Sequence, residues 1–257
     1  MNCNEQNAHV RDCRLSFDAE SHRYMCDGRE FTSVTNFVEQ YFMPFDAEKW
    51  APRVAVREGV SVEEILDRWE REGQRARDLG TRMHDKIERY YLGDDDGDDT
   101  DAFRLFREFA RHNTLYPYRT EWRIFHEDHD IAGTLDFLER RPDGTFVLWD
   151  WKRSAKLVDG QGRLVCASRF GQMGLEPLHA VQDVAYWHYA LQLSVYRFVL
   201  EERYGIGVSR MRLGIFHPDY DKAWVVDVPY MRDHVVAMLR HRLSHGRRAQ
   251  ARLHPAL

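Results

Sequence analysis

Two aspartates and a lysine stand where a β-rich chain should be apolar. They lie in Gly133–Ser154, GTLDFLERRPDGTFVLWDWKRS. Arg141-Pro142-Asp143-Gly144 is a turn signal, with Pro at the first central position, Asp at the second and Gly at the left-handed position after it. It predicts a three-residue hairpin loop with a glycine bulge. If Arg141 faces Thr145, then Asp136, five residues before, faces Asp150, five after. Opposed residues of an antiparallel pair share a face, with Cβ atoms about 4.5–5.5 Å apart. Strand alternation puts Lys152 on the face of Asp150. Two like charges so placed repel, and a hard divalent cation between them turns that repulsion into attraction. The alternative, two solvated aspartates on an open face, sits badly with Leu135, Phe137, Leu148, Trp149 and Trp151 around them.

Other polar residues stand at suggestive spacings. His84 and Glu88 in GTRMHDKIERYY (80–91) are four apart, on one helical face. They could complete a ligand set or form a surface pair. Glu121, in the strand before the hairpin, is either a further acidic ligand or an edge residue in solvent. Gln192 and Tyr196 lie one turn apart in a helix dominated by Leu191, Val195, Phe198 and Val199. An amide and a phenol so placed could grip a phosphate backbone or stack a base, or form the polar stripe of an ordinary amphipathic helix. His126 and His129 fall in a turn between strands. His241 and His245 have zinc-like spacing but no third ligand nearby.

The elements that position these residues follow from periodicity and punctuation. A small hairpin is expected over 15–32 around Asp27-Gly28, then a short helix through Tyr41 capped by Ser33 or Thr35. Helices are expected over 45–58, from Ser61 (with a capping-box Glu64) to Arg77, over 81–91 after an interruption at Gly80, and from Asp101 to about His112. Three strands follow, over 118–126, 131–139 and 145–152. The stretch 153–180 is Gly-rich and irregular. A long helix over 184–203, two strands over 211–217 and 223–228, and a helix after Pro229 to about His245 complete the chain. That order predicts an α/β domain with a central mixed sheet flanked by helices and an N-terminal helical extension. One domain is expected, with 1–79 as extension, 80–230 as core and 231–257 as a basic tail.

Composition narrows the function classes. The chain has 257 residues, 43% hydrophobic and 31% charged, and a formal net charge of −5, so bulk charge does not announce a nucleic-acid binder. The charge is uneven, with an acidic run DDDGDDTD at 94–101 and a tail carrying Arg232, Arg240, Arg242, Arg247, Arg248 and Arg252, which reads either as a phosphate-contacting helix or as a solvated face. Four scattered cysteines form no C-x-x-C pair. No 18-residue apolar run and no signal-peptide core are present, which predicts an intracellular, soluble, cytoplasmic protein without a membrane partner. No P-loop, no G-x-G-x-x-G after a strand and no G-x-S-x-G occurs.

In order along the chain, the set is His84 on a helix, Asp136 on a strand, Asp150-Trp151-Lys152 across a hairpin, then Gln192-x-x-x-Tyr196. With the segments SVT (33–35), GTRMH, TEWRIF, AGTLD, DWKRS, LQLSVY and FHPDY (216–220), this resembles the PD-(D/E)XK nuclease superfamily over roughly residues 22–240. Within it, the set is similar to the RecB-like exonuclease branch and to a group found in phages and large DNA viruses. The resemblance implies a restriction-endonuclease-like core. It implies one or two Mg²⁺ or Mn²⁺ ions held by His84, Asp136, Asp150 and the main-chain carbonyl of Trp151. Lys152 would orient or help deprotonate the attacking water and steady the developing charge, and Gln192 and Tyr196 would help hold the DNA strand. Glu88, Glu121 and Arg153 are supporting candidates. The branch's iron–sulfur members carry cysteines after the Gln-x-x-x-Tyr helix, and none follows Cys166 here, so no cluster is expected. The implied activity is hydrolysis of DNA phosphodiesters, as an exonuclease on ends or single strands. A junction-resolving endonuclease and a non-catalytic DNA-binding module are the alternatives. The resemblance leaves room for a homo-oligomer or a recombination or replication partner.

Overall fold

The fold is that of a computed structural model, which describes residues 1–95, 97 and 101–253, with side chains for all of these except 101 and 245–253. The capping role expected of Asp101, much of the acidic run, and the side chains of His245, Arg247, Arg248 and Arg252 lie outside the described residues.

A four-residue helix α1 (Cys3–Gln6) opens the chain. Strands β1 (Leu15–Asp18), β2 (Arg23–Cys26) and β3 (Arg29–Ser33) form an antiparallel meander, with Asp27-Gly28 between the last two. Ser33 ends β3 and caps α2 (Val34–Glu39), its hydroxyl accepting from the Asn36 N–H. Helix α3 (Ala47–Glu58) is capped by Asp46. Helix α4 (Val62–Leu92) starts at Ser61 with a full capping box to Glu64. It runs unbroken through Gly80, where an interruption was expected. One glycine costs a helix only about 1 kcal/mol relative to Ala, and the helix-favouring Arg77, Leu79, Arg82 and Met83 around it outweigh that.

Helix α5 (Asp101–His112) leads into β4 (Pro117–His126), β5 (Ile131–Arg140) and β6 (Phe146–Lys152). Helix α6 (Ala185–Arg203), β7 (Val208–Ile215), β8 (Trp224–Val228) and α7 (Arg232–Leu253) follow. The eight strands of the described residues belong to one mixed sheet, in the order β1-β2-β3-β5-β6-β7-β8, with β4 pairing β5. The α/β class, the central mixed sheet with flanking helices and the helical N-terminal region are as expected. The N-terminal meander is not separate from the core, because β3 pairs with β5 in parallel through Thr32–Ile131 and Ser33–Ala132. No helix among the described residues is long and apolar enough to cross a membrane.

The two faces of the sheet have different cores. Phe137, Val147, Trp149, Trp151 and Phe216 pack with Met83 and Ile87 of α4 and Phe103, Phe106 and Phe109 of α5. Each fully buried aromatic contributes roughly 1.5–3 kcal/mol. On the opposite face Leu138, Leu148, Met211, Leu213 and Ile215 pack with α2, α6 and α7. By alternation, Asp136, Asp150 and Lys152 continue this second face.

β5 forks the sheet. One of its edges is paired with β4, while the other meets β3 only at 131–132 and β6 only at 137–140. Residues 133–136 therefore face a gap between two strands, and the candidate site occupies that gap.

Candidate metal centre at the sheet fork

The β5–β6 register is that expected from the turn. Arg141 donates its N–H to the Thr145 carbonyl at 2.9 Å, and Gly144, at φ +83°, donates to the Arg141 carbonyl at 2.8 Å. Phe137 pairs with Trp149. One step further, level with Asp136 and Asp150, the ladder stops and side chains replace it. The Trp151 N–H donates to Asp136 Oδ2 at 2.7 Å, and His84 Nε2 lies 2.8 Å from the Trp151 carbonyl oxygen. That carbonyl, implied as a cation ligand by the resemblance, is here an acceptor for His84.

His84 Nδ1 lies 3.4 Å from Glu121 Oε1 and 3.6 Å from Asp136 Oδ2. The ligand atoms of His84, Glu121 and Asp136 all fall within 4.8 Å of one another. Glu121 reaches this group through an unusual backbone. Thr120 faces Phe137 and Trp122 faces Leu135, so Glu121 sits level with Asp136 in β4. Its φ is +43°, in the left-handed region. A non-glycine residue held there stores about 1–3 kcal/mol of strain, a feature concentrated at functional sites. Of the two sequence readings of Glu121, the structure has the carboxylate in the site.

Asp150 is 1% exposed. Its Oδ2 lies 2.7 Å from Lys152 Nζ, an ion contact without directed hydrogen-bond geometry, and neither carboxylate oxygen accepts a hydrogen bond from the described residues. Buried carboxylates are ordinarily satisfied, so Asp150 has unused acceptor capacity beside a carboxylate-imidazole group. These oxygen and nitrogen donors are of the kind that hold a divalent cation.

The electrostatics agree with an under-neutralised acidic site. Burial raises the Asp150 carboxyl to about 6, with Lys152 opposing and Asp136 adding to the rise. Burial likewise raises Asp136, against the pull of His84. Burial would lower His84, but the Asp136 charge and the Glu121 hydrogen bond overcome it and carry the imidazole up to about 9. Burial opposes the Lys152 charge too, yet Asp150 and Asp136 hold its ammonium above the ordinary lysine range. Protonated His84 and Lys152 are thus the counter-ions of Asp136, Asp150 and Glu121.

The remaining candidates separate. Tyr196 is buried against β5, where a Cβ built on Gly133 would meet its Cε1 at 2.7 Å and its hydroxyl at 2.9 Å. Burial raises its phenol well above the ordinary value. Gln192 Nε2 donates to the Tyr196 hydroxyl over a long 3.4 Å. Glu88 is not brought into the group. It lies one turn along α4, where burial and Asp85 raise its carboxyl and the Thr120 side chain hydrogen-bonds it. Arg153 is half-buried and lies just past the end of β6, outside the group. Sequence reasoning missed Tyr189, whose ring lies 4.5 Å from Lys152 Nζ. Its spacing was the available signal, since 189, 192 and 196 follow the i, i+3, i+7 stripe of one helix face.

Of the histidine pairs set aside on sequence grounds, His126 precedes and His129 ends a single 3₁₀ turn, with their rings 4.5 Å apart. His241 packs edge-on against Tyr41, 5.5 Å between ring centres.

No family model matches this sequence, and no curated protein matches it. A solved structure titled "Crystal structure of SSO0001" aligns at 15% identity over 83% of this chain and 75% of its own, with a TM-score of 0.32, too low a likeness to carry any argument.

Proposed function

We propose that this chain is a divalent-metal-dependent deoxyribonuclease of the PD-(D/E)XK type, similar to the RecB-like branch, acting as an exonuclease on DNA ends or single strands. The observation that carries the reading is the β5–β6 register. It draws Asp136, Asp150 and Lys152 onto one face at the fork, with Asp150 Oδ2 held among the described residues only by the Lys152 ammonium at 2.7 Å.

In this reading Asp136, Asp150, Glu121 and His84 hold the cation, which when bound lowers the pKa of water and offsets charge on the phosphate. Lys152, held as a full positive charge by two carboxylates, acts as an electrostatic stabiliser of the phosphorane-like charge rather than as a base. Half-buried Gln192 would meet the DNA strand, with the buried Tyr196 hydroxyl hydrogen-bonded to its amide. The net charge of −5 is tolerable because the positive charge a phosphate meets is local.

The test is incubation of the protein with end-labelled linear and with circular DNA plus Mn²⁺, alongside Lys152→Ala. The exonuclease reading expects mononucleotide or short-oligonucleotide release from linear DNA, none from circles, and loss of at least about 100-fold in the variant. Cleavage of circles or of junctions alone would replace it with an endonuclease, and binding without cleavage would reduce the protein to a DNA-binding module.

A further inference from the structure

The outer edge of β4 is closed by side chains from the N-terminal segment. Among the described residues β4 pairs only with β5, so its other edge has no strand partner there, and uncovered edges are a liability. The Asn4 carboxamide treats Thr120 as a neighbouring strand residue would. Its Oδ1 accepts from the Thr120 N–H at 2.8 Å, and its Nδ2 donates to the Thr120 carbonyl at 3.1 Å and to Oγ1 at 3.2 Å. Asn7 Nδ2 donates to the Tyr118 carbonyl at 3.0 Å, further from the site. Helix α1 buries no residue, so these polar contacts, not core packing, hold it there.

Thr120 directly precedes Glu121. The Thr120 carbonyl belongs to the planar peptide unit whose rotation is the φ of Glu121. Fixing that carbonyl and the preceding N–H holds the peptide planes on both sides of Thr120, and the second of these is one of the two planes that meet at Glu121 in its left-handed turn of +43°; the other is held by the pairing of Trp122 with Leu135. We propose that Asn4 is a positioning residue of the cation site: by clamping both main-chain groups of Thr120, it aims the Glu121 carboxylate at His84 and Asp136. The proposal rests on the reading that His84, Glu121 and Asp136 hold a divalent cation. It makes the first residues of the chain part of the site although none of them touches it.

The test is Mn²⁺ affinity, read from the loss of the free-ion electron paramagnetic resonance signal, without DNA. The proteins are wild type, Asp136→Asn, Glu121→Gln, Asn4→Ala, the Glu121→Gln/Asn4→Ala double variant and Asn7→Ala. Residues behind a metal's direct ligands typically change affinity by about 10-fold or more, and Asn4→Ala is expected to weaken Mn²⁺ binding by about that factor. The double variant should bind no worse than Glu121→Gln alone, since Asn4 acts only through that carboxylate. Asn7→Ala, which loosens the same segment away from Thr120, should bind as wild type. Should Asn4→Ala not fold by circular dichroism, Asn4→Ser, which cannot span both Thr120 groups, is read in its place with the same expectation. Unchanged affinity in the Asn4 variant, an equal loss in Asn7→Ala, or additive losses in the double variant would overturn the positioning role alone. No Mn²⁺ binding by wild type, or wild-type binding by Asp136→Asn, would overturn the cation reading and this inference with it.

Discussion

The Trp151 N–H donates to Asp136 Oδ2 at 2.7 Å, just beyond Phe137–Trp149, the last ladder pair of β5 and β6. Asp136 thus does a backbone carbonyl's work while carrying a charge that burial disfavours. The two roles separate in Asp136→Asn, which keeps an acceptor for Trp151 and removes one of three clustered carboxylates, leaving Glu121 as the partner of His84. Without metal, this variant should melt at or above the wild-type temperature. With Mn²⁺ at about 100 times its Kd, the wild type gains about 2.7 kcal/mol, or roughly 5–10 °C for a chain of this size. The variant should gain little of that. Thermal melts with and without MnCl₂ check it, and a full wild-type shift in the variant would remove Asp136 from the ligand set.

Lys152 is the sole ion-pair partner found for Asp150 among the described residues, and both side chains are largely shielded from water. Removing one member of such a pair leaves an uncompensated charge, at about 3–5 kcal/mol. Lys152→Met should therefore lower metal-free stability by about that amount in urea titrations. Asp150→Asn/Lys152→Met should recover most of the loss, because the charge and its counter-ion leave together. If the double variant were as unstable as the single one, the loss would come from packing of the lysine stem against Tyr189 rather than from the pair.

How far the site was legible follows from which constraints are local. The Asp136–Asp150 register is readable because it depends on five consecutive residues, Arg141 to Thr145, whose turn chemistry permits few geometries. The helix caps at Ser33 and Ser61 are readable for the same reason. The continuity of α4 through Gly80 is settled by many small propensities, which one conspicuous glycine masks. The pairing of β3 with β5, which creates the fork, joins residues about 100 positions apart and leaves no local signal. Glu121 is the hardest case. Its sequence context says strand, and only a left-handed backbone at a non-glycine position turns its carboxylate toward His84. No residue preference predicts that conformation, because the strain is imposed by the surrounding structure.

Gly133 has room for nothing more than a hydrogen. A Cβ there would lie 2.7 Å from Tyr196 Cε1, 2.9 Å from its hydroxyl and 3.1 Å from Val34 Cγ2. Gly133→Ala must push the Tyr196 ring or the β5 backbone, and overpacking of this kind costs about 1–3 kcal/mol. Tyr196→Phe, which removes only a hydroxyl with one long hydrogen bond, should cost less than about 1 kcal/mol in fold stability. If the phenol contacts DNA, both variants should weaken single-strand binding, whereas only the first should lower the melting temperature. Fluorescence anisotropy beside thermal denaturation separates the two effects, and intact binding in both variants would detach Tyr196 from the DNA surface.

His126 offers a pH dependence away from the fork. The ring is 4% exposed and its Nε2 accepts from Arg203 Nε at 3.1 Å, which requires the neutral imidazole. Burial first, then Arg203 and His129, push its pKa from the ordinary 6.5 down to about 4, with Asp128 and Glu127 opposing. The folded pKa is the depressed one, so between about pH 6.5 and 4 the unfolded chain takes up a proton that the folded chain refuses. The contribution is complete above pH 6.5 and is lost as pH falls through that window. At about 1.4 kcal/mol per pKa unit, the loss approaches roughly 3 kcal/mol by pH 4. His126→Gln lacks it. Urea titrations at pH 7, 6, 5 and 4.5 should show wild type losing stability relative to the variant as pH falls. The carboxylates of the fork and His129 titrate in both proteins and cancel in that difference. Parallel stability curves would mean that His126 is protonated in the folded chain and that Arg203 does not hold it neutral.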